Sequence, residues 1–295
     1  MRVGVIGAGK WGEALAFAMS EKNEVIITSR TPRDWDNFRS LDEVLRCEYL
    51  IITVPAQQVA QWLKENFTFS GQKILVAAKG IEASSGRFLN DIYADFIPTG
   101  NLAFLSGPSF AIEVKQKLPT ALVINSESLE TASEFAALFP SFIRTYTSTD
   151  VIGAEITGAY KNVIAIAAGI CEGLSLGHNA AASLIARGLV EMQRFGKAYG
   201  ASDESFLGLS GAGDLFLTAS SSMSRNYRVG LGLASGKDKE QVCEEIGEVS
   251  EGIGTAYALH EIALERGIYL PIAAEVYAIL EGKSPRQSLK DLIER

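Results

Sequence analysis

Residues 1–18 of the chain read MRVGVIGAGKWGEALAFA, and this stretch decides the fold of the N-terminal half. A short apolar run leads into a G-x-G-x-x-G pattern at residues 7–12 and then into a helix of small residues. That order is typical of a strand, a phosphate-binding turn and a helix whose N-terminus attracts an anion. The first glycine permits a tight turn, the second lets a pyrophosphate approach, and the third allows close helix–strand packing. These glycines are Gly7, Gly9 and Gly12; the alternative is a plain glycine-rich turn.

The pattern of the sequence changes near residue 149. Before this point, short β-branched runs alternate with helical patterns, which is typical of βαβ units and a parallel sheet. The predicted strands are Arg2–Ile6, Val25–Thr28, Tyr49–Val54, Ile74–Ala77, Leu102–Leu105, Ala121–Ile124 and Phe142–Tyr146. The segments with helical spacing that follow are Val151–Gly173, Asn179–Tyr199, Gly252–Glu265 and Ala273–Leu280. The sequence therefore predicts a doubly wound α/β domain of the Rossmann type over residues 1–149 and an all-helical domain over residues 150–295.

Composition excludes several classes of function. The 295 residues include 27 basic and 35 acidic side chains, a net charge of −8, which argues against a nucleic-acid or anionic-membrane surface. The two histidines and three cysteines stand at no metal-ligand spacing, so no metal site is predicted, and scattered cysteines suggest a reducing compartment. The longest apolar run in the helical half, Val163–Cys171, is shorter than the roughly 20 residues of a membrane span. We therefore expect a cytoplasmic protein without stable membrane insertion.

The end of the second predicted strand bears on the choice of dinucleotide. An NAD site usually has an acidic residue about 20 residues after the glycine turn, where it binds the ribose hydroxyls. Residues 26–33 read IITSRTPR instead. Hydroxyls and the guanidinium groups of Arg30 and Arg33 suit a 2′-phosphate, which favours NADP over NAD. In the alternative interpretation, both arginines are solvated loop charges.

Two further segments follow strands of the predicted sheet. Lys79 comes directly after the fourth strand, and residues 106–111, SGPSFA, come directly after the fifth. Ligands of open α/β sheets bind at the carboxyl ends of the strands, so both segments are candidates for a binding site. The alternatives are a surface lysine and a helix start capped by Ser106 or Ser109.

Polar residues in the helical half form a second group of candidates. Lys161 lies inside an apolar helical segment, so it either extends to solvent or is partly desolvated, with its pKa lowered toward acid–base chemistry. The neighbouring Asn162, which a helix does not favour, supports a site. Asp214 follows the flexible turn GAG and is either a helix cap or a site residue. Residues 224–226, SRN, offer a donor set suited to a phosphate.

Taken in order, these motifs resemble one known family. The set comprises GAGKWG at 7–12, AKG at 78–80, SGPSFA at 106–111, YKN at 160–162, GAGDL at 211–215, SRN at 224–226 and VSEG at 249–252, and it spans nearly the whole chain. It is similar to the NAD(P)-dependent glycerol-3-phosphate dehydrogenases of the bacterial biosynthetic type. The resemblance implies a helical domain like the C-terminal domain of 6-phosphogluconate dehydrogenase. It also implies reduction of dihydroxyacetone phosphate, a triose phosphate, to sn-glycerol 3-phosphate for phospholipid synthesis. A homodimer is expected as well, since the Ala/Gly-rich helical segments Val163–Gly173 and Asn179–Gly188 could pack between subunits.

The resemblance further implies a role for each matching residue. Lys161 would exchange a proton with the substrate oxygen, and Asp214 would hold Lys161 electrostatically. The substrate would be bound by Lys79, Gly107, Ser109, Lys161, Asp214, Ser224, Arg225 and Asn226, with Thr218 as a weaker candidate. The cofactor would be contacted by Gly7, Gly9, Lys10, Trp11, Gly12, Arg30, Lys79, Ala111, Arg225, Val249 and Glu251.

Some features depart from the family's pattern, and two other functions are compatible with the architecture. The departures are a short segment after the second strand, Glu13 beside the glycine motif, and His178-Asn179 in place of an Asp-Asn pair. One rival function is that of a β-hydroxyacid dehydrogenase, against which the SRN and GAGDL motifs argue. The other is a non-catalytic NADP-sensing module, which would need no lysine–aspartate pair.

Overall fold

The computed structural model describes residues 1–248 and 250–294. The chain divides into two compact units. The sheet unit comprises residues 1–78 and 89–155, and the helical unit comprises residues 79–88 and the chain from Ile156 onward. The domain change predicted at residue 149 lies a few residues before the change at Glu155–Ile156. Sequence reasoning did not predict that residues 79–88 leave the sheet unit and join the helical one.

The sheet unit is built on seven strands in the order β2-β1-β3-β4-β5-β6-β7. The strands are β1 Arg2–Ile6, β2 Glu24–Thr28, β3 Tyr49–Ile52, β4 Lys73–Val76, β5 Leu102–Ser106, β6 Thr120–Asn125 and β7 Ile143–Ser148. All seven predicted strands are present, with slightly shifted ends. Strands β1 to β5 are parallel, as predicted. Strand β6 is antiparallel to β5, and β7 is parallel to β6, so the sheet is mixed at this edge.

Helices cover both faces of this sheet. They are α1 Lys10–Ser20, α2 Leu41–Val44, α3 Val59–Asn66, α4 Leu89–Ala94, α5 Ala111–Lys115 and α6 Leu129–Leu138. Neighbouring strand residues point to opposite faces, so Ile51 joins the apolar core that contains residues of α1 and α6. Leu50 and Ile52 join the core that contains residues of α2, α3 and α4. Strands such as β3 and β5 are buried on both faces and read as continuous apolar runs, and the doubly wound prediction is confirmed.

The segment that follows β2 forms one parallel bridge beside this strand, on its outer side. Asn37 accepts a hydrogen bond from the Ile27 amide at 3.0 Å, and the Arg39 amide donates to the Ile27 carbonyl at 2.9 Å. Ile27 and Phe38 thereby form a single parallel bridge beside β2. Doubly wound dinucleotide folds have their third strand in this position. In this sheet unit, the single Ile27–Phe38 bridge occupies that position.

The helical unit contains, in the described part of the chain, only helices as long regular elements. They are α7 Val151–Gly173, α8 His178–Lys197, α9 Asp203–Leu207, α10 Asp214–Ala219, α11 Arg225–Ala234, α12 Lys239–Ile246, α13 Glu251–Arg266, α14 Pro271–Leu280 and α15 Pro285–Glu294. Helix α7, whose first residues belong to the sheet unit, is long and apolar enough to cross a membrane, but 89% of its most apolar window is buried, as in the core helix of a soluble protein. A Cβ on Gly169 would lie 2.0 Å from the Tyr227 carbonyl oxygen, so only glycine lets α7 and α11 cross this closely.

Residues 79–88 form a tight loop within the helical unit. Ile81 and Phe88 make an antiparallel bridge, and the Glu82 amide donates to the Arg87 carbonyl at 3.0 Å. The turn is closed at Gly86, whose φ of 67° lies in the left-handed region that favours glycine. Because Ile81 and Phe88 are buried, the loop is attached by its apolar side chains as well as by its backbone.

Candidate active site

A group of charged side chains meets inside the helical unit. Lys79 from the 79–88 loop, Lys161 from α7 and Asp214 from α10 come together with the hydroxyl of Thr218. Lys79 Nζ lies 2.7 Å from Asp214 Oδ2, and Lys161 Nζ donates a short hydrogen bond to Asp214 Oδ1. Lys161 also donates to Thr218 Oγ1 at 2.9 Å. We name these four residues the lysine–aspartate cluster; they come from three separate predicted motifs and one weaker candidate.

The glycine-rich turn before α10 places Asp214 in this cluster. Residues Leu209–Gly213 form a π-helical turn, a rare conformation that is frequent at functional sites. A Cβ on Gly211 would lie 2.3 Å from the Phe206 carbonyl oxygen, so the close turn requires glycine. Gly213 occupies the N-cap position of α10, and no side-chain cap bond is made. The alternative that Asp214 is only a helix cap is therefore wrong.

Burial and charge tune the two central groups in opposite ways. Lys161 is 7% exposed and Asp214 is 1% exposed, so the alternative that Lys161 extends to solvent is wrong. Burial, helped by the nearby Lys79 charge, lowers the pKa of Lys161 from 10.5 to about 8, although Asp214 opposes this shift. Burial would raise the pKa of Asp214, but the two ammonium groups outweigh it and hold that pKa below 3.8. The cluster thus combines a permanent anion with a lysine able to exchange a proton near neutral pH.

The side chain of Lys79 packs against helix α7 at Gly158. A Cβ on Gly158 would lie 3.3 Å from both Cγ and Cδ of Lys79, which is tighter than ordinary van der Waals contact. Gly158 and Lys161 are three residues apart and share one helix face. The bare backbone at Gly158 therefore lets the stem of Lys79 lie close to α7. Sequence reasoning missed Gly158, although a glycine inside a strongly helical pattern was a usable signal.

Asn162 and Asn226 connect three helices beside the cluster. Asn226 Nδ2 donates to Asn162 Oδ1 at 2.9 Å, and Asn226 Oδ1 accepts from the Gly252 amide at 3.0 Å. A Cβ on Gly252 would lie 2.7 Å from that same Oδ1, so the contact depends on glycine. These bonds join α7, α11 and the start of α13. That Asn226 binds substrate stays a prediction; the structure shows that its amide joins these helices.

The other residues of the SRN and VSEG motifs lie around the starts of α11 and α13. Ser224 is the N-cap of α11, where its hydroxyl accepts from the Tyr227 amide at 3.3 Å. Arg225 is the first residue of α11, is 44% exposed, and has its guanidinium 3.6 Å from the Glu248 carboxylate. Glu251 is the first residue of α13. Val249, a predicted cofactor contact, lies outside the described residues.

The glycine turn of the sheet unit has the geometry that a pyrophosphate needs. Gly7 has a φ of 110°, and a Cβ there would lie 2.2 Å from Thr53 Oγ1. A Cβ on Gly12 would lie 1.9 Å from the Gly7 carbonyl oxygen, so glycine alone allows this approach of α1 to the turn. At Gly9, the N-cap of α1, an added Cβ would meet nothing within 4 Å. The turn is thus tightly closed inside and open at the helix N-terminus, which fits a dinucleotide.

The remaining predicted cofactor residues of the sheet unit lie on or near the same elements. Lys10 and Trp11 are the first residues of α1, and Trp11 is partly buried against the core. Arg30 is exposed just beyond the end of β2. Ala111 is the first residue of α5 and packs partly against the same core as Trp11. The structure thus assigns these residues to strand ends and helix starts, where a bound dinucleotide is expected.

The SGPSFA turn of the sheet unit is also built around a glycine. Gly107 has a φ of 105°, and a Cβ there would lie 3.0 Å from the Ala121 carbonyl oxygen. The N-cap of α5 is Phe110, and no side chain caps this helix, so the alternative that Ser106 or Ser109 is the cap is wrong. Ser106 instead accepts a hydrogen bond from Asn125 at 2.8 Å.

Two departures from the family's pattern occupy simple structural positions. Glu13 in α1 forms an ion pair with Lys115 in α5 at 2.7 Å, and both side chains are partly exposed. His178 is the first residue of α8 and is exposed. Neither side chain belongs to the lysine–aspartate cluster.

Fold and site together define a class of protein: two-unit dehydrogenases with a glycine-rich dinucleotide turn and a buried lysine paired with an aspartate. A profile for the N-terminus of NAD-dependent glycerol-3-phosphate dehydrogenase matches residues 37–132, and a profile for its C-terminus matches residues 150–291. The chain belongs to the NAD-dependent glycerol-3-phosphate dehydrogenase family. The family resemblance inferred from the ordered motifs is confirmed.

Individual relatives agree with this assignment. The chain is 71% identical over 292 residues to a glycerol-3-phosphate dehydrogenase (NAD(P)+) of Sulfurimonas denitrificans, covering 99% of each chain. It is 57% identical over 295 residues to an enzyme of the same name from Nitratiruptor, covering 100% of this chain and 99% of the relative. A crystal structure of glycerol-3-phosphate dehydrogenase from Coxiella burnetii superposes with a TM-score of 0.91 at 32% identity, covering 100% and 99% of the two chains.

Proposed function

We propose that the protein reduces dihydroxyacetone phosphate to sn-glycerol 3-phosphate with NADPH or NADH, for the synthesis of phospholipids. One observation carries the proposal: in a chain of this family, a buried lysine with a pKa of about 8 is held between an ionised aspartate, a hydroxyl and a second lysine. Reduction of a ketone needs a proton donor for the oxygen on which negative charge develops. Lys161 has the burial and the pKa for that task.

The bound dihydronicotinamide supplies the hydride, and the residues of the chain supply orientation and the proton. An ammonium group has three N–H donors. Lys161 directs one to Asp214 and one to Thr218, so the third can serve the substrate oxygen. In the reverse reaction, neutral Lys161 accepts the proton from the alcohol. Asp214 stays ionised throughout and holds the ammonium in one orientation.

The substrate phosphate would be recognised by cations and polar donors. Arg225 is accessible, and its guanidinium can form paired hydrogen bonds with phosphate oxygens. Lys79 would add positive charge next to the reacting carbonyl. The further proposed substrate contacts are Gly107, Ser109, Ser224 and Asn226.

The dinucleotide would bind at the glycine turn and at the helix starts described above. Its proposed contacts are Gly7, Gly9, Lys10, Trp11, Gly12, Arg30, Lys79, Ala111, Arg225, Val249 and Glu251. The exposed guanidinium of Arg30 at the end of β2 favours NADP, because it can pair with a 2′-phosphate.

The direct test is an NADPH-oxidation assay with dihydroxyacetone phosphate, repeated with NADH. We expect turnover with both nucleotides and a lower KM for NADPH; a lower KM for NADH would overturn the cofactor preference. Hydroxyisobutyrate and 6-phosphogluconate, tested in the oxidative direction, should not react. No oxidation of either nucleotide with the triose phosphate would overturn the proposed function.

We also propose that the enzyme acts as a cytoplasmic homodimer. The support for a dimer is a row of exposed apolar residues on α8. They recur every four positions, at Ala182, Ala186 and Val190. Such a stripe can pack against its copy on a second subunit. Light scattering on the purified protein should give twice the monomer mass, and the monomer mass at assay concentration would contradict the proposal.

A further inference from the structure

The loop 79–88 carries Lys79 at one end and a buried aromatic side chain at the other. Phe88 is 3% exposed. Its ring centroid lies 6.4 Å from that of Phe195 on α8 and, in an edge-to-face arrangement, 5.1 Å from that of Tyr199, just beyond the end of α8. Phe195 in turn lies 5.6 Å from Tyr160 of α7. We name Phe88, Tyr160, Phe195 and Tyr199 the aromatic cluster.

The backbone of the loop connects the aromatic cluster to Lys79. Ile81, which is completely buried, forms an antiparallel bridge with Phe88. The Glu82 amide donates to the Arg87 carbonyl at 3.0 Å, and the Gly86 amide donates to the Glu82 carbonyl at 2.8 Å. These bonds leave only the residue Gly80 between the bridged pair and Lys79. A displacement of Phe88 would therefore be transmitted to Lys79.

The aromatic cluster is itself fixed to the helices of the unit. Tyr160, which directly precedes Lys161 in α7, donates from its hydroxyl to Glu191 at 2.8 Å. Glu191 also accepts from the amides of Ile272 and Ala273 at the start of α14, at 2.9 Å each. Helix α8, which carries Phe195, is thus hydrogen-bonded through Glu191 to α7 and to the start of α14.

We propose that Phe88 is a positioning residue, which holds the Lys79 ammonium against the Asp214 carboxylate by anchoring the far end of the loop to the aromatic cluster. The importance of this positioning for catalysis rests on the proposed function, in which Lys161 is the proton donor. The positioning itself is a property of the folded chain and can be measured without substrate or cofactor.

Anchoring of Lys79 has a consequence for the titration of Lys161. The groups that face the Lys161 ammonium are Asp214 and Thr218 from α10 and Lys79 from the loop. Lys79 acts on it as a like charge, which lowers the pKa of Lys161. A loosened loop would leave Asp214 to act on Lys161 with less competition from Lys79. The pKa of Lys161 should then rise from about 8 toward its ordinary value of 10.5.

The experiment is a double-mutant cycle read by the titration of Lys161. The ¹³Cε resonance of Lys161, assigned by its loss in Lys161→Arg, is followed against pH in Phe88→Leu, Lys79→Met and the double variant. We expect Lys79→Met to raise the pKa by roughly one unit, and Phe88→Leu to raise it by a measurable part of that shift. In the Lys79→Met background, Phe88→Leu should add nothing.

The matched control is Phe135→Leu in the sheet unit, where a fully buried ring packs edge-to-face against Tyr49 at 5.6 Å. It removes the same atoms from a core without touching the loop, and the pKa of Lys161 should not move. If Phe88→Leu does not fold, Ile81→Val makes a smaller change at the same bridge and should raise the pKa in the same direction.

Two results would overturn the proposal. One is a folded Phe88→Leu protein, or Ile81→Val protein in its place, with the wild-type pKa of Lys161. The other is that Phe88→Leu raises the pKa of Lys161 equally in wild type and in the Lys79→Met variant. Phe88 would then act on Lys161 without Lys79. An absence of triose phosphate reduction in wild type would instead refute the proposed function and leave this titration result standing.

Discussion

Replacing Asp214 by asparagine removes a negative charge from between two ammonium groups and keeps the shape of the side chain. Lys79 and Lys161 would then share a buried site with a neutral amide. Loss of an opposite charge at hydrogen-bonding distance shifts a pKa by about 1–3 units. The pKa of Lys161, at about 8 in the intact cluster, should therefore fall to about 5–7.

The effect on the rate follows from the protonated fraction of Lys161. At pH 7, a group with a pKa of about 8 is roughly 90% protonated, whereas one with a pKa of about 6 is roughly 10% protonated. Reduction requires the protonated form, so kcat at neutral pH should fall about tenfold from this cause alone. The pH optimum of reduction should move toward acid. Breaking a buried ion pair should also lower the free energy of unfolding by about 3–5 kcal/mol.

The assay is kcat for dihydroxyacetone phosphate reduction measured from about pH 5 to pH 9 at saturating NADPH. Asp203→Asn is the matched control, since Asp203 is an exposed aspartate whose partner Lys197 lies 3.3 Å away. It should leave the pH profile of kcat unchanged. If the profile of Asp214→Asn coincided with that of wild type, the electrostatic account of the cluster would be refuted.

Four other substitutions test three separate parts of the site. Lys161→Ala should lower kcat by about 10²–10⁴-fold while the protein stays folded, and near-wild-type turnover would contradict its role. Arg225→Ala should raise KM for the phosphorylated substrate by about tenfold or more, whereas an unchanged KM would count against phosphate binding. Gly12→Ala should lower both Tm and NADPH affinity, because its Cβ would lie 1.9 Å from a carbonyl oxygen; Gly9→Ala, with open space around it, should lower affinity at an unchanged Tm. Fluorescence titration measures the NADPH affinity, and thermal unfolding measures Tm. A large loss of Tm in Gly9→Ala would contradict the open space that surrounds Gly9.

The parts of the fold that could be predicted are those in which local sequence and burial agree. Strands such as β3 are buried on both faces and read as continuous apolar runs, and α7 is apolar on all sides. The bounds of α7 match the prediction for the same reason. Short helices such as α2 and α9 were not predicted, because their few apolar positions give no clear period.

The site was predictable where a residue conflicts with its surroundings. Lys161 is a charge inside an apolar helix, and Asp214 follows a turn of glycines, so both attracted attention without a structure. The role of Phe88 could not be predicted, because its aromatic partners Phe195 and Tyr199 lie far along the chain, in α8 and just after it. The internal bonds of Asn226 also depend on tertiary contacts that no spacing reveals.

The loop 79–88 belongs to the helical unit although it lies between two segments of the sheet unit, and this matters for protein engineering. The chain passes between the two units at three junctions, Ala78–Lys79, Phe88–Leu89 and Glu155–Ile156. A continuous fragment of residues 1–155 produced alone would carry Ile81 and Phe88 without the rest of the helical unit to which they belong. Chimeras between relatives should therefore exchange all three junctions together, so that the ten-residue loop keeps the helices of its own parent. A single cut at the end of the sheet unit would separate a lysine from the aspartate with which it forms an ion pair.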